Sequence, residues 1–93
     1  MRSVTSIRAR TSVLWQALGE ESVLLDADSG TYYGLNAVGT RVWNLIQEPR
    51  SLVEVRDVLV LEFDVDPDLC ERDLHNLADE LVRRGLAEIQ SVA

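Results

Sequence analysis

The chain has one cysteine and one histidine, Cys70 and His75, and a thiol beside an imidazole is the pairing that can activate a nucleophile. Both lie in a helix-favouring stretch, five positions apart. A five-residue step on a helix turns the two side chains well away from each other around the axis, so they cannot act on one bond. Cys70 reads as a thiol at the margin of an apolar stripe and His75 as a surface residue. A lone cysteine also excludes an internal disulfide and a multi-cysteine zinc site. Two carboxylate clusters invite a calcium reading: Asp26 and Asp28 with Gly30, and Asp64, Asp66 and Asp68. A helix-loop-helix calcium loop needs glycine at its sixth position and a bidentate carboxylate at its twelfth. Neither cluster supplies them, and Pro67 interrupts the second. Turn and helix-start chemistry accounts for both. Gly34 and Gly39 lack the spaced glycine triplet of a phosphate loop. The expectation is a protein with no catalytic residues, no metal and no cofactor.

Charge narrows the partners. The 93 residues carry 16 acidic and nine basic side chains, a net −7, and every basic residue is arginine. Glu62, Asp64, Asp66, Asp68, Glu71, Asp73, Asp79 and Glu80 crowd one stretch against Arg72 alone, which repels phosphate; nucleic acid is not the expected partner. Hydrophobic residues make up 46%, enough for one modest core at this length. Apolar runs such as Val58-Leu59-Val60-Leu61 are far too short to span a bilayer, and no apolar signal core opens the chain. The expected setting is cytoplasmic, away from membranes.

The elements follow from local signals. Residues 1–10 are polar with scattered apolar positions and read as a flexible N-terminal arm, leaving 11–93 as a single domain. Val13, Trp15 and Ala17 alternate with Leu14 and Gln16, a turn at Gly19-Glu20-Glu21 follows, and Ser22 to Leu25 favours strand. Asp26-Ala27-Asp28-Ser29-Gly30 is a turn, and Thr31 to Leu35 is the third strand, with Tyr33 and Leu35 facing in and Tyr32 out. Asn36 caps a first helix whose stripe is Val38, Val42, Leu45 and Ile46 and which Glu48-Pro49 stops. Ser51-Leu52-Val53-Glu54 is a capping box opening a second helix, with Leu52, Val55, Leu59 and Phe63 inward. Asp66 and Pro67 open a third, Arg83-Arg84-Gly85 closes it, and Leu74, Ala78, Leu81 and Val82 form its stripe. Leu86 to Ile89 can add a terminal strand or pack back. Trp15 and Trp43 read equally as core or as interface anchors. The fold class is α+β, a three-stranded antiparallel sheet followed by three helices, of the winged-helix-turn-helix kind.

That order leaves the third strand at a sheet edge, with a row of free backbone donors and acceptors. An extended peptide can add along Thr31 to Leu35 while its side chains enter a groove beside the third helix. Without the wider pattern, Tyr32-Tyr33 reads as aromatic packing of a small core and its rim.

The wider pattern is the order Leu24-Leu25-Asp26, a glycine turn, Tyr32-Tyr33-Gly34-Leu35-Asn36, then Val38-Gly39 and Trp43, with Leu81-Val82-Arg83-Arg84-Gly85-Leu86 near the end. It resembles the PqqD-like family of leader-peptide recognition domains across about residues 12–90, and is most similar to the stand-alone members of lasso-peptide biosynthesis. The resemblance implies an adaptor that is not an enzyme. It implies a precursor leader peptide as partner, with a separate leader peptidase and a cyclase acting afterwards. Carried over by position, the peptide-binding edge falls on Thr31, Tyr32, Tyr33, Gly34 and Leu35. The groove wall falls on the third helix, taken on the margin of Leu69, Cys70, Asp73, Asn76, Leu77 and Glu80, whose acidic groups favour basic residues in the partner. A pyrroloquinoline-quinone peptide chaperone, a recognition domain for another class of ribosomally made and modified peptide, and a winged-helix DNA-binding regulator are the other readings. The last would need a basic third helix.

Overall fold

Turn chemistry sets the first sheet. In a computed structural model, which describes residues 4–92, the Asp26 carboxylate accepts from the Asp28 backbone N–H at 3.1 Å and from the Ser29 hydroxyl at 3.0 Å. Gly30 closes the turn at φ +71°, a conformation that costs glycine nothing. The turn joins β3 (Glu21–Asp26) to β4 (Thr31–Leu35), and β2 (Val13–Leu18) pairs on the other side of β3. Register places Trp15, Leu24 and Tyr33 in one cross-strand row and Leu14, Leu25 and Tyr32 in the next. Side chains alternate between faces, so Leu24 is fully buried in the first row, Trp15 at its end on β2 remains 42% exposed, and Tyr32 in the second row is 68% exposed.

Three helices follow: α1 (Ala37–Leu45), α2 (Leu52–Phe63) and α3 (Pro67–Arg83). Each begins at the cap expected from sequence. Asn36 Oδ1 accepts from the Gly39 N–H at 2.8 Å, Ser51 and Glu54 exchange both bonds of a capping box, and Asp66 accepts from the Leu69 N–H at 2.9 Å with Pro67 at the first turn. Each such cap contributes about 1 kcal/mol. Gly85 at φ +74° ends the last helix, and Leu86 turns back into the core.

Two expectations need correction here. The stretch before Arg10 is no arm: Val4–Ala9 form β1, antiparallel to β6 (Ala87–Val92) and to the two-residue β5 (Arg50–Ser51), making a second three-stranded sheet in the order β5-β1-β6. Ile7 and Ala9 are buried in the common core, and the Ala9 N–H donates to the Ile46 carbonyl at 2.7 Å. The domain therefore reaches back to Val4, and Met1–Ser3 lie outside the described residues. The second correction concerns Val82, assigned to the α3 stripe but 36% exposed. Leu74, Ala78 and Leu81 carry the buried stripe, and Val82, next to Leu81, is turned about 100° around the helix from it.

The core holds Leu24, Val42, Trp43, Ile46, Val55, Leu59 and Leu81 at its centre. Trp43 is buried, and its Nε1 has no hydrogen-bond partner among the described residues. That orphan costs about 1–3 kcal/mol, less than the roughly 5 kcal/mol gained by removing an indole from water. Ser22 and Thr40, the buried polar pair, satisfy each other across 2.8 Å and pin β3 to α1.

Candidate peptide-binding groove

The strand order β2-β3-β4 leaves β4 at the sheet edge. Beside it lies a groove of about 420 Å³, within the size range of small-ligand and side-chain pockets. One wall is β4 itself, through Tyr33, Gly34 and the buried Leu35. The chain then passes Asn36 into the first turn of α1, which adds Val38, Gly39 and Val42. Leu59 of α2 and Val65 in the α2–α3 connection form the floor, and α3 closes the far side.

Spacing explains which α3 residues arrive there. Leu69, Asp73 and Leu77 are four apart and stack along one helical face, with Cys70 and Leu74 beside them; all five line the groove. Gly39 makes the strand-to-helix turn tight: a Cβ there would stand 3.1 Å from Leu35 Cδ2 and 3.3 Å from the capping Asn36 Oδ1. Glycine lets α1 start directly against β4, which is what brings Val38 to the groove mouth. Val38 was expected inside the α1 stripe, yet it is 36% exposed. As the second residue of the helix it sits where the groove is open.

Of the residues singled out from sequence, Tyr33, Gly34, Leu35, Leu69, Cys70, Asp73 and Leu77 meet in this groove. Thr31 and Tyr32 belong to β4 but are exposed and lie outside the groove lining. Asn76 and Glu80 on α3 are outside its lining. Glu80 instead accepts from Arg84 Nε at 2.6 Å and lies 3.8 Å from Arg83, while Arg84 rests over the Tyr33 ring, 5.0 Å from its centre. This cation–aromatic contact ties the end of α3 to β4. Asn36, Val38, Gly39, Val42, Leu59, Val65 and Leu74 were not named as site residues. A cap and a glycine immediately after an edge strand were the available signal for the first three.

The lining is apolar apart from Asn36 and Asp73. Burial, then the nearby Asp73 charge, pushes the Cys70 thiol above its ordinary range, with Arg56 opposing weakly. A neutral thiol is a poor nucleophile, in keeping with a packing role. Among the described residues no group of three His, Cys, Asp or Glu side chains is placed to hold a metal ion, and no helix is long and apolar enough to cross a membrane.

The family model for coenzyme PQQ synthesis protein D (PqqD) matches residues 21–87, from the start of β3 into β6. The chain belongs to the PqqD family. The match contains the β3–β4 hairpin, all three helices and every groove residue. Among solved structures, the PqqD-like chain is similar to TbiB1 in complex with the TbiA(β) leader peptide, at 36% identity and a TM-score of 0.79 over 87% of this chain and 94% of that one. It is also similar to a lasso peptide synthetase B1 complexed with the leader peptide, at 28% identity and a TM-score of 0.76 over 88% and 96%. No curated protein sequence matches it significantly. The family and fold inferred from the hairpin-to-helix signature are those found.

Proposed function

We propose that this PqqD-family chain binds the leader segment of a ribosomally made precursor peptide, of the lasso class, as a fourth strand along β4. The observation that carries the reading is the coincidence of an open sheet edge with an apolar groove on the same strand. The edge can offer backbone hydrogen bonds and the groove can take alternate side chains. Two similar structures, one of them 36% identical, are of complexes with leader peptides, which supports the same use here.

The domain acts as an adaptor and does no chemistry of its own: a raised Cys70 thiol and an exposed, distant His75 offer no nucleophile and base. Processing of the bound precursor falls to a separate leader peptidase and a cyclase, in the cytoplasm, where a free cysteine persists. Charge speaks against nucleic acid. On α3, Asp68, Glu71, Asp73, Asp79 and Glu80 outnumber Arg72, Arg83 and Arg84, and the last two stand against Glu80.

Fluorescence polarisation tests the reading, with a labelled leader peptide encoded by a small precursor gene beside this one and a DNA duplex in parallel. Saturable binding of the leader is expected. Binding to the duplex alone would make the protein a winged-helix regulator.

A further inference from the structure

One charged side chain lines the groove, Asp73. Every cation near that wall already has an acid. Arg56 holds Asp57 at 3.0 Å and Glu71 at 3.6 Å, Arg41 grips Glu62 through two bonds of 2.8 Å, and Arg84 holds Glu80. Arg72, the next residue, points about 100° away around the helix. Asp73 has no ion pair or side-chain hydrogen bond among the described residues, and water solvates it in the open groove. Asp73 lines the groove together with the apolar Leu69, Cys70, Leu74 and Leu77 of the same helix.

A strand laid between β4 and α3 would remove that water. An ionised carboxylate covered without a partner is strongly penalised, so an occupant must bring a cation or forfeit much of its apolar gain. Leu69 and Leu77 lie one turn to either side of Asp73, a rise of about 6 Å each way. Two residues of extended peptide cover nearly the same length, roughly 6.6 Å, and point to the same face. Resting on the leader-binding reading, we propose that Asp73 is the specificity-determining charge of the groove. It selects a leader whose groove-facing side chains run apolar, basic, apolar at alternate positions, with the Lys or Arg ammonium or guanidinium paired to the Asp73 carboxylate.

The rule is negative as well as positive. An acidic or neutral side chain at the central position meets an unpaired carboxylate and is rejected, which sharpens choice among leaders of similar hydrophobicity. Glu80 was expected to share this role; held by Arg84 and Arg83, it contributes little.

The test is a double-mutant cycle by fluorescence polarisation. Each Lys and Arg of the labelled leader is changed in turn to Gln and titrated against the wild-type chain and Asp73→Asn, a near-isosteric change at an exposed position that leaves folding intact. One basic residue is expected to account for about tenfold in affinity, and that effect falls below twofold in Asp73→Asn. Asp73→Lys should recover affinity for the leader with Glu at the same place. Coupling of Asp73 to no basic residue, or wild-type affinity in Asp73→Asn, overturns the inference and leaves leader binding standing. A leader that fails to bind the wild-type chain overturns both.

Discussion

The sheet β2-β3-β4 has two edges, and they differ in what lies next to them. β2 is the longer, six residues against five, and all but Val13 of its side chains are exposed. No β2 residue lines the groove. β4 runs straight into the Asn36 cap, so α1, α2 and α3 converge on its flank and leave a groove there. Both edges present free backbone groups, which any extended chain can use without regard to sequence. Only β4 joins those groups to a largely apolar groove.

Breaking that difference starts with Leu77. Leu77→Asp puts a second carboxylate on the α3 wall and should weaken leader binding about thirtyfold, the loss of an anchor worth roughly 2 kcal/mol. Undiminished affinity in a variant with a native circular-dichroism spectrum would remove α3 from the interface. Val38→Asp sharpens the comparison because two effects take opposite signs. An acid in the first turn of α1 favours the helix by about 0.3–1 kcal/mol, so thermal stability should hold or rise while leader affinity drops about tenfold. A fall in both would mean that Val38 serves the core. On the other edge, Leu14→Asp should change affinity less than twofold, since Leu14 projects from β2 on the outer face; an effect matching that of Val38→Asp would move the peptide to β2. The smallest expected effect is at Cys70. Alkylation by iodoacetamide should run several-fold slower than for a free thiol because burial disfavours the thiolate, and saturating leader should slow it further. An unchanged rate on adding leader would place the peptide away from the α3 wall.

Local chemistry was legible wherever a residue acts on its near neighbours. The Asp26–Gly30 turn, the Asn36 cap, the Ser51–Glu54 box and the Asp66-Pro67 start all satisfy backbone groups within four residues, so short windows carry them. The strand period put Leu35 and Tyr32 on opposite faces, and the run of Leu35 straight into the first helix marked its face as the inward one. β1 was illegible for the opposite reason. Its long partner is β6, at the far end of the chain, and Ile7 and Ala9, two residues apart, are too short an apolar alternation to mark a strand among polar neighbours. Val38 and Val82 obey the helical period yet remain exposed, because periodicity says which face a residue shares and not how far along the helix its cover extends. The same limit hid Val65 and Leu59 as groove floor: their role depends on where α3 crosses.

The β1–β6 pairing sets Val4 beside Val92, and this governs the order in which the molecule assembles. The β2–β3–β4 meander closes through short turns, which form in about microseconds, whereas joining opposite ends of the chain incurs a larger loop-closure entropy and slows folding. On these grounds the β4 edge is expected to form with the early, local part of the fold and the clasp of the two ends with the late part. Shaving the polar stretch before Arg10, a natural step for anyone shortening the protein, would remove the middle strand of a sheet and strand β5 and β6 without a partner.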